Sequence, residues 1–264
     1  RLSVTDVRTF VEILNEKGLG ARMVQYVHAV LRNALESALR DELVARNVAK
    51  LVKVKTPTYD VGRGLTIEQA RGLLQAARGD RLQALYVLAV YLGLRRAEVL
   101  GLRWSDVDLE AETLQVAQTL QRVGGELRFL PPKTRHSKRT VPLPTPCVEA
   151  LRSHRVAQDC ERLARGQDWS DHGLVFTTCV GTPIEPDNLR RSWYKLRESA
   201  GQPSLRFHDL RHTCVSLLLD DGAPPHVVRE IVGHSAIDVT MTIYAHASLQ
   251  EKRKALEALG SRLA

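Results

Sequence analysis

Between Thr113 and Leu143 the hydrophobic pattern of this chain changes period. Leu114 and Val116 alternate with polar neighbours up to Thr119, Gly124-Gly125 interrupts the run, Leu127 and Phe129 resume it, and Thr140 and Val141 follow a basic loop. Alternation at a period of two belongs to half-buried strands, and a glycine pair between two such runs belongs to a tight turn. One three-stranded antiparallel sheet is therefore expected inside a chain whose other apolar residues recur at helical spacing. The fold class that follows is mainly α with a small antiparallel β-sheet, an α+β arrangement.

Helical spacing predicts helices over residues 5–17 and 21–46, the second with a stripe of Val24, Val27, Leu31, Leu35 and Leu39. After them the run from Lys53 to Gly64 has no helical period, and its Pro, Gly and basic residues suit a linker. This divides the chain into a helical domain at 1–56, a linker at 57–64 and a larger domain at 65–264. Thr66 begins a new helix as its cap, with Gln69 placed to reach back to it. Further helices are expected near 81–92, 146–165, 186–200, 208–220, 225–232, 236–246 and 248–259. The chain opens on Arg1 rather than Met, so the first domain is expected to be short at its start.

Length agrees with two cores, since 264 residues is long for one domain. The 38 Lys and Arg against 30 Asp and Glu leave a net charge of +8, a field that favours a polyanion. Cys147, Cys160, Cys179 and Cys214 are widely separated and form no Cys-x-x-Cys pair, which argues against a disulfide framework and for a reducing cytoplasm. No apolar run is long enough for a membrane span. Five histidines (His208, His212, His226, His234 and His246) lack the carboxylate cluster and closed spacing of a metal site, so neither metal nor cofactor is expected.

The chemistry lies in an ordered set of basic residues. Gly93-Leu94-Arg95-Arg96-Ala97-Glu98 puts Arg95 at a helix start with Glu98 one turn later, where the carboxylate could orient a guanidinium. Arg96 competes with Arg95 on spacing alone. Lys133 stands in Pro132-Lys133-Thr134-Arg135, a cationic hairpin loop that also holds His136, Lys138 and Arg139. His208-Asp209-Leu210-Arg211 sets an imidazole and a guanidinium three residues apart on one helix face. Gly233-His234 follows, then Tyr244 within Thr242-Ile243-Tyr244-Ala245-His246. Each piece taken alone has an ordinary reading: a solvated pair, a helix cap, a half-buried tyrosine.

In this order the pieces resemble the tyrosine recombinases of the phage-integrase type from about Thr66 onward, and the Gly-Leu-Arg-x-x-Glu pattern selects Arg95. The resemblance implies a DNA breaking-rejoining catalytic fold preceded by a SAM-like helical core-binding domain, the two closing a C-shaped clamp on duplex DNA. It also implies a tetramer in the synapse, with 248–264 packing on a neighbouring protomer, and leaves room for an accessory DNA-bending protein. Physical roles fit the residues. Arg95 and Arg211 can donate paired N–H groups to the non-bridging phosphate oxygens, and His234 can add another donor. Tyr244 is the nucleophile that forms a 3′-phosphotyrosyl link, and His208 is the candidate to help remove its proton, since a phenol of pKa about 10 is rarely ionised at neutral pH. Lys133, among other cations, is the candidate acid for the leaving 5′ oxygen. Arg135, Lys138 and Arg139 are expected on the DNA backbone.

Two other functions compete with a site-specific recombinase of a phage or mobile element. A type IB topoisomerase would use a similar tyrosine in a similar basic pocket. A helix-turn-helix regulator could be built from residues 208–232 with Gly222 in the turn, but would have no use for Tyr244 or Lys133.

Overall fold

The computed structural model describes residues 2–55, 64–132 and 137–233. Lys133, Arg135, His234, Tyr244, the helices expected at 236–246 and 248–259, and the segment 248–264 lie outside the described residues, as does most of the expected linker. The chain divides into two compact units, residues 1–60 and 61–264.

In the first unit α1 (Val4–Glu16) begins at a capping box in which Ser3 and Asp6 satisfy each other's backbone N–H groups. Helix α2 (Ala21–Arg40) ends six residues short of the expected Arg46. The chain turns there through Glu42 in the left-handed region (φ 57°), then forms a short 3₁₀ helix at Val48–Leu51. That turn brings Val48, Ala49 and Val52 onto Val7, with Leu31 and Leu35 of α2 packed alongside. His28 and Asn47 fix it, bonding to the Ala49 and Arg32 carbonyls. Closing a small core has overridden the propensity of 41–46 to continue the helix.

The second unit is built around α4 (Gln83–Leu92), a helix apolar on nearly every side and therefore central. Against it pack α3 (Ile67–Ala76), α5 (Arg96–Leu100), α6 (Thr145–Arg165) and α8 (Asp209–Asp220). Helix α7 (Pro186–Ser199) contributes Trp193, whose ring lies 5.9 Å from that of Tyr86. Helix α9 (Pro225–Val232) follows α8 after a turn at Gly222 and ends on Gly233, in the left-handed conformation at φ 71°. The capping box of α3 pairs Thr66 with Gln69. No helix among the described residues is long and apolar enough to cross a membrane.

The β structure differs from the single sheet expected. Strands β1 (Val107–Asp108), β2 (Thr113–Val116) and β5 (Arg139–Pro142) form one antiparallel sheet in the order β1-β2-β5, with Leu114 opposite both Val107 and Val141. Strands β3 (Thr119–Val123) and β4 (Glu126–Leu130) form a separate hairpin, turned by Gly124 and Gly125, both at positive φ. The split follows from Gly101, at the end of α5. A Cβ there would lie 2.9 Å from the Leu120 backbone nitrogen, so its absence lets β3 lie flush on α5. Gln118 holds that departure by donating to the Gly101 carbonyl at 2.8 Å. In consequence β4 and β5, the described strands before and after Lys133, do not pair with each other as the expected hairpin required. One belongs to each sheet.

One further close approach ties the start of this unit to α8. The Leu65 N–H donates to Thr213 Oγ1 at 2.9 Å, and a Cβ on Gly64 would stand 2.4 Å from Thr213 Cα. Only glycine lets the chain enter the domain flush against that helix.

Candidate active site

Helix α4 ends on Gly93, whose left-handed conformation (φ 59°) reverses the chain so that Arg95 becomes the N-cap of α5. Arg95 then donates twice to the Glu98 carboxylate. The Arg95 backbone N–H donates to Glu98 Oε2 at 3.0 Å, and its Nη1 donates to Oε1 at 2.6 Å. The remaining arm of Arg95 donates to the Gly233 carbonyl at 2.9 Å, which leaves the side chain about a third exposed. Arg96, its competitor on spacing, is exposed on the outside of the helix.

Glu98 is buried between two guanidiniums, for Arg139 approaches from β5 at 3.2 and 3.4 Å. Burial acts to raise the carboxyl's pKa. The charge and hydrogen bond of Arg139, followed by those of Arg95, outweigh it and hold Glu98 below the usual carboxylate range.

Arg139 departs from expectation. Placed by sequence among the loop cations facing DNA, its side chain is only 7% exposed and points inward. Besides Glu98 it donates Nε–H to the Ile231 carbonyl at 2.7 Å and Nη1–H to the Ser137 carbonyl at 3.1 Å. A sequence signal for this existed: in β5 it shares a face with the buried Val141, two residues on. Lys138, between the two faces, is exposed.

Arg211 comes from the first turn of α8 and is 2% exposed, donating to the Gly93 carbonyl at 2.8 Å. Burial and the neighbouring charge of Arg95 push it down to about 9, with Glu98 opposing, so the guanidinium stays charged at neutral pH. Arg95, Arg139 and Arg211 thus surround the single carboxylate of Glu98, and the cluster has surplus positive charge to offer an anion.

His208 occupies the N-cap position of α8, its ring edge-on to His212 with centroids 5.2 Å apart. Partial burial, then the charges of His212 and Arg211, hold His208 below the usual histidine range against the pull of Asp209, favouring a neutral ring able to accept a proton. Cys214, one turn past Arg211, is buried with its Sγ donating to the Tyr91 carbonyl at 3.3 Å. Burial pushes its thiol up to about 12, which makes it inert as a nucleophile.

Sequence reasoning missed a groove of about 460 Å³ that opens beside Arg95 and His208. Arg96, Arg190, Arg197 and Arg206 line it, with Tyr194 exposed on its floor. Arg197 stacks 4.2 Å from the Tyr194 ring centre. The sequence signal was the spacing of Arg190, Tyr194 and Arg197 on one face of α7.

This order of residues, now with a shared geometry around Glu98, can be compared with known proteins. Residues 63–251 match the phage integrase family. The chain belongs to that family. It is 31% identical over 271 residues to a XerC-like tyrosine recombinase of Caldanaerobacter subterraneus subsp. tengcongensis, covering 96% of this chain and 69% of the relative. It is 37% identical over 241 residues to an integrase of Streptomyces ambofaciens, covering 86% of this chain but 60% of that protein. Among solved structures, the Tn1549 transposon integrase in complex with a circular intermediate DNA superposes with a TM-score of 0.79 at 22% identity, over 97% of this chain and 85% of that one. A lambda integrase dimer bound to a core site superposes at 0.63 and 15% identity, over 92% and 79%. At these identities the structural likeness establishes the fold, which is mainly helical with small antiparallel sheets.

Proposed function

We propose that this chain is a site-specific DNA recombinase of a phage or mobile element, cleaving and rejoining strands through a 3′-phosphotyrosyl intermediate with Tyr244 as nucleophile. The observation that carries the reading is the cluster of three guanidiniums around buried Glu98, a site that can stabilise extra negative charge on a phosphate without reorganising. Arg95 and Arg211 are its phosphate clamp. Each is already held by a backbone carbonyl, of Gly233 and Gly93 respectively. Neutral His208 assists deprotonation of Tyr244, His234 adds a donor, and Lys133 protonates the departing 5′ oxygen. The tyrosine ester conserves the energy of the broken bond, so rejoining needs no nucleotide.

The groove beside Arg95 suits a DNA strand, combining arginines for phosphates with an aromatic face on which a base can stack. Arg135 and Lys138 take the neighbouring backbone. The unit at residues 1–60 is the core-binding domain. The working assembly is a tetramer on paired duplex sites, in keeping with the lambda integrase tetramer bound to a Holliday junction, and 248–264 packs on a neighbour in it.

The test is covalent trapping on a nicked duplex that lets the cleaved end diffuse away. The unmodified chain forms a denaturation-resistant protein–DNA adduct that persists in chelator. Tyr244→Phe binds the duplex nearly as well and forms none, because one hydroxyl contributes little to affinity and is the whole nucleophile. An adduct surviving in Tyr244→Phe refutes the assignment. Relaxation of plasmid lacking paired sites, with no strand exchange between sites, would favour the topoisomerase reading instead.

A further inference from the structure

Arg139 belongs to the cluster around Glu98, yet, buried and turned inward, it is given no contact with the phosphate in the chemistry above. Its acceptors come from three parts of the fold: the Ser137 carbonyl leading into β5, both oxygens of Glu98 on α5, and the Ile231 carbonyl in the last turn of α9. The final carbonyls of a helix lack intrahelical donors and favour a cation, so that last contact suits a guanidinium. Two residues on, the Gly233 carbonyl is taken by Arg95. The end of α9 is thus gripped by two guanidiniums, with Glu98 between them to offset their repulsion. Gly233 makes the grip feasible: a Cβ there would stand 2.8 Å from Arg139 Nη1 and 3.1 Å from its Cδ and Cζ. The residue that follows is His234, and the chain then runs on to Tyr244.

We propose that Arg139 is a positioning residue, one that registers the exit of α9 at Gly233, just ahead of His234 in the chain, against the phosphate-binding Arg95. The role rests on the recombinase reading for its catalytic consequence, but not for its structural one. It requires the planar fork. A lysine keeps the charge but cannot satisfy Glu98 and the α9 carbonyl from one ammonium in the same geometry. It also predicts a change in proton linkage. Among the described residues the charged groups facing Glu98 are Arg95 from α5, Arg139 from β5 and Arg211 from α8. Removing Arg139 takes away the strongest influence opposing burial, so the carboxyl should accept a proton nearer to neutrality.

The experiment compares the full chain with Arg139→Lys and Arg139→Ala in two measurements. In the first, amide hydrogen exchange without DNA should accelerate in peptides covering 225–233 in both variants, while peptides of α4 keep their protection. In the second, single-turnover cleavage at saturating DNA should slow by about 100-fold, the scale of a misplacement of about 1 Å, while DNA affinity stays close to that of the unmodified chain. The acid limb of the rate profile should move to higher pH in Arg139→Ala. Arg139→Lys, which keeps the buried charge, guards against a variant that does not fold. If it cleaves at the original rate, charge alone suffices and the proposal fails. It fails also if exchange at 225–233 is unchanged, or if affinity falls while the saturated rate does not, since that is the behaviour of a DNA-backbone contact. Absence of cleavage by the unmodified chain would count against the recombinase reading, and the exchange result would still decide the structural role.

Discussion

Replacing Glu98 by Gln keeps the size of the side chain and one acceptor oxygen but removes the charge that separates two guanidiniums. The cost can be apportioned. The pair with Arg139 is buried on both sides, at 7% and 2% exposure, and breaking a buried pair by neutralising one member costs about 3–5 kcal/mol. The pair with Arg95 is shorter but about a third open to solvent, so screening discounts it to about 0–1 kcal/mol. Because Gln retains part of the hydrogen bonding, a loss of about 3 kcal/mol is expected, or about 6–12 °C in Tm for a unit of this size. Its pH dependence is the stricter check. Glu98 has a folded pKa below its unfolded value, so its contribution is fully present above the unfolded pKa and is lost as pH falls through the folded one. Denaturant melts from neutral pH down to about pH 3 should therefore show a constant gap between the two proteins down to about pH 4.5, closing below it. A variant within about 0.5 kcal/mol of the original at neutral pH would contradict the buried-pair argument. So would a gap that stays open in acid.

Lys133→Ala should cleave ordinary DNA slowly and recover on a strand whose bridging 5′ oxygen is replaced by sulfur, because a thiolate leaves without a proton; an equal defect on both substrates would move the acid to His208 or Lys138. Thr213→Val keeps the shape of the side chain while stranding the buried Leu65 N–H, at a cost of about 1–3 kcal/mol in denaturant melts, and an unchanged midpoint would show that water replaces the hydroxyl.

Much of the helical framework was legible because its signals are local. Thr66 and Gln69 announce a helix start by chemistry confined to four residues, and Arg95 and Glu98 are joined across a single turn. The sheet was less legible. Alternation tells which residues share a face but not which strand lies beside which, and the pairing turned on Gly101, a residue outside the alternating run. Val107–Asp108, too short to carry a period, escaped notice altogether. At the site, side chains of distinctive chemistry could be found by type and order. The carbonyls of Gly93, Ile231 and Gly233 that hold the arginines could not, since every residue has one and only the fold decides which are free to accept. Arg139 was misread for a related reason: its neighbours in sequence are loop cations, whereas its neighbours in space are a carboxylate and the end of a helix.

The seat of Gly64 on Thr213 has a mechanical meaning. The chain enters the second unit pinned against α8, the helix that also carries Arg211. A bulky side chain at Gly64 would push on α8 itself, so a change at the entrance to this unit would be felt in the helix that carries His208 and Arg211.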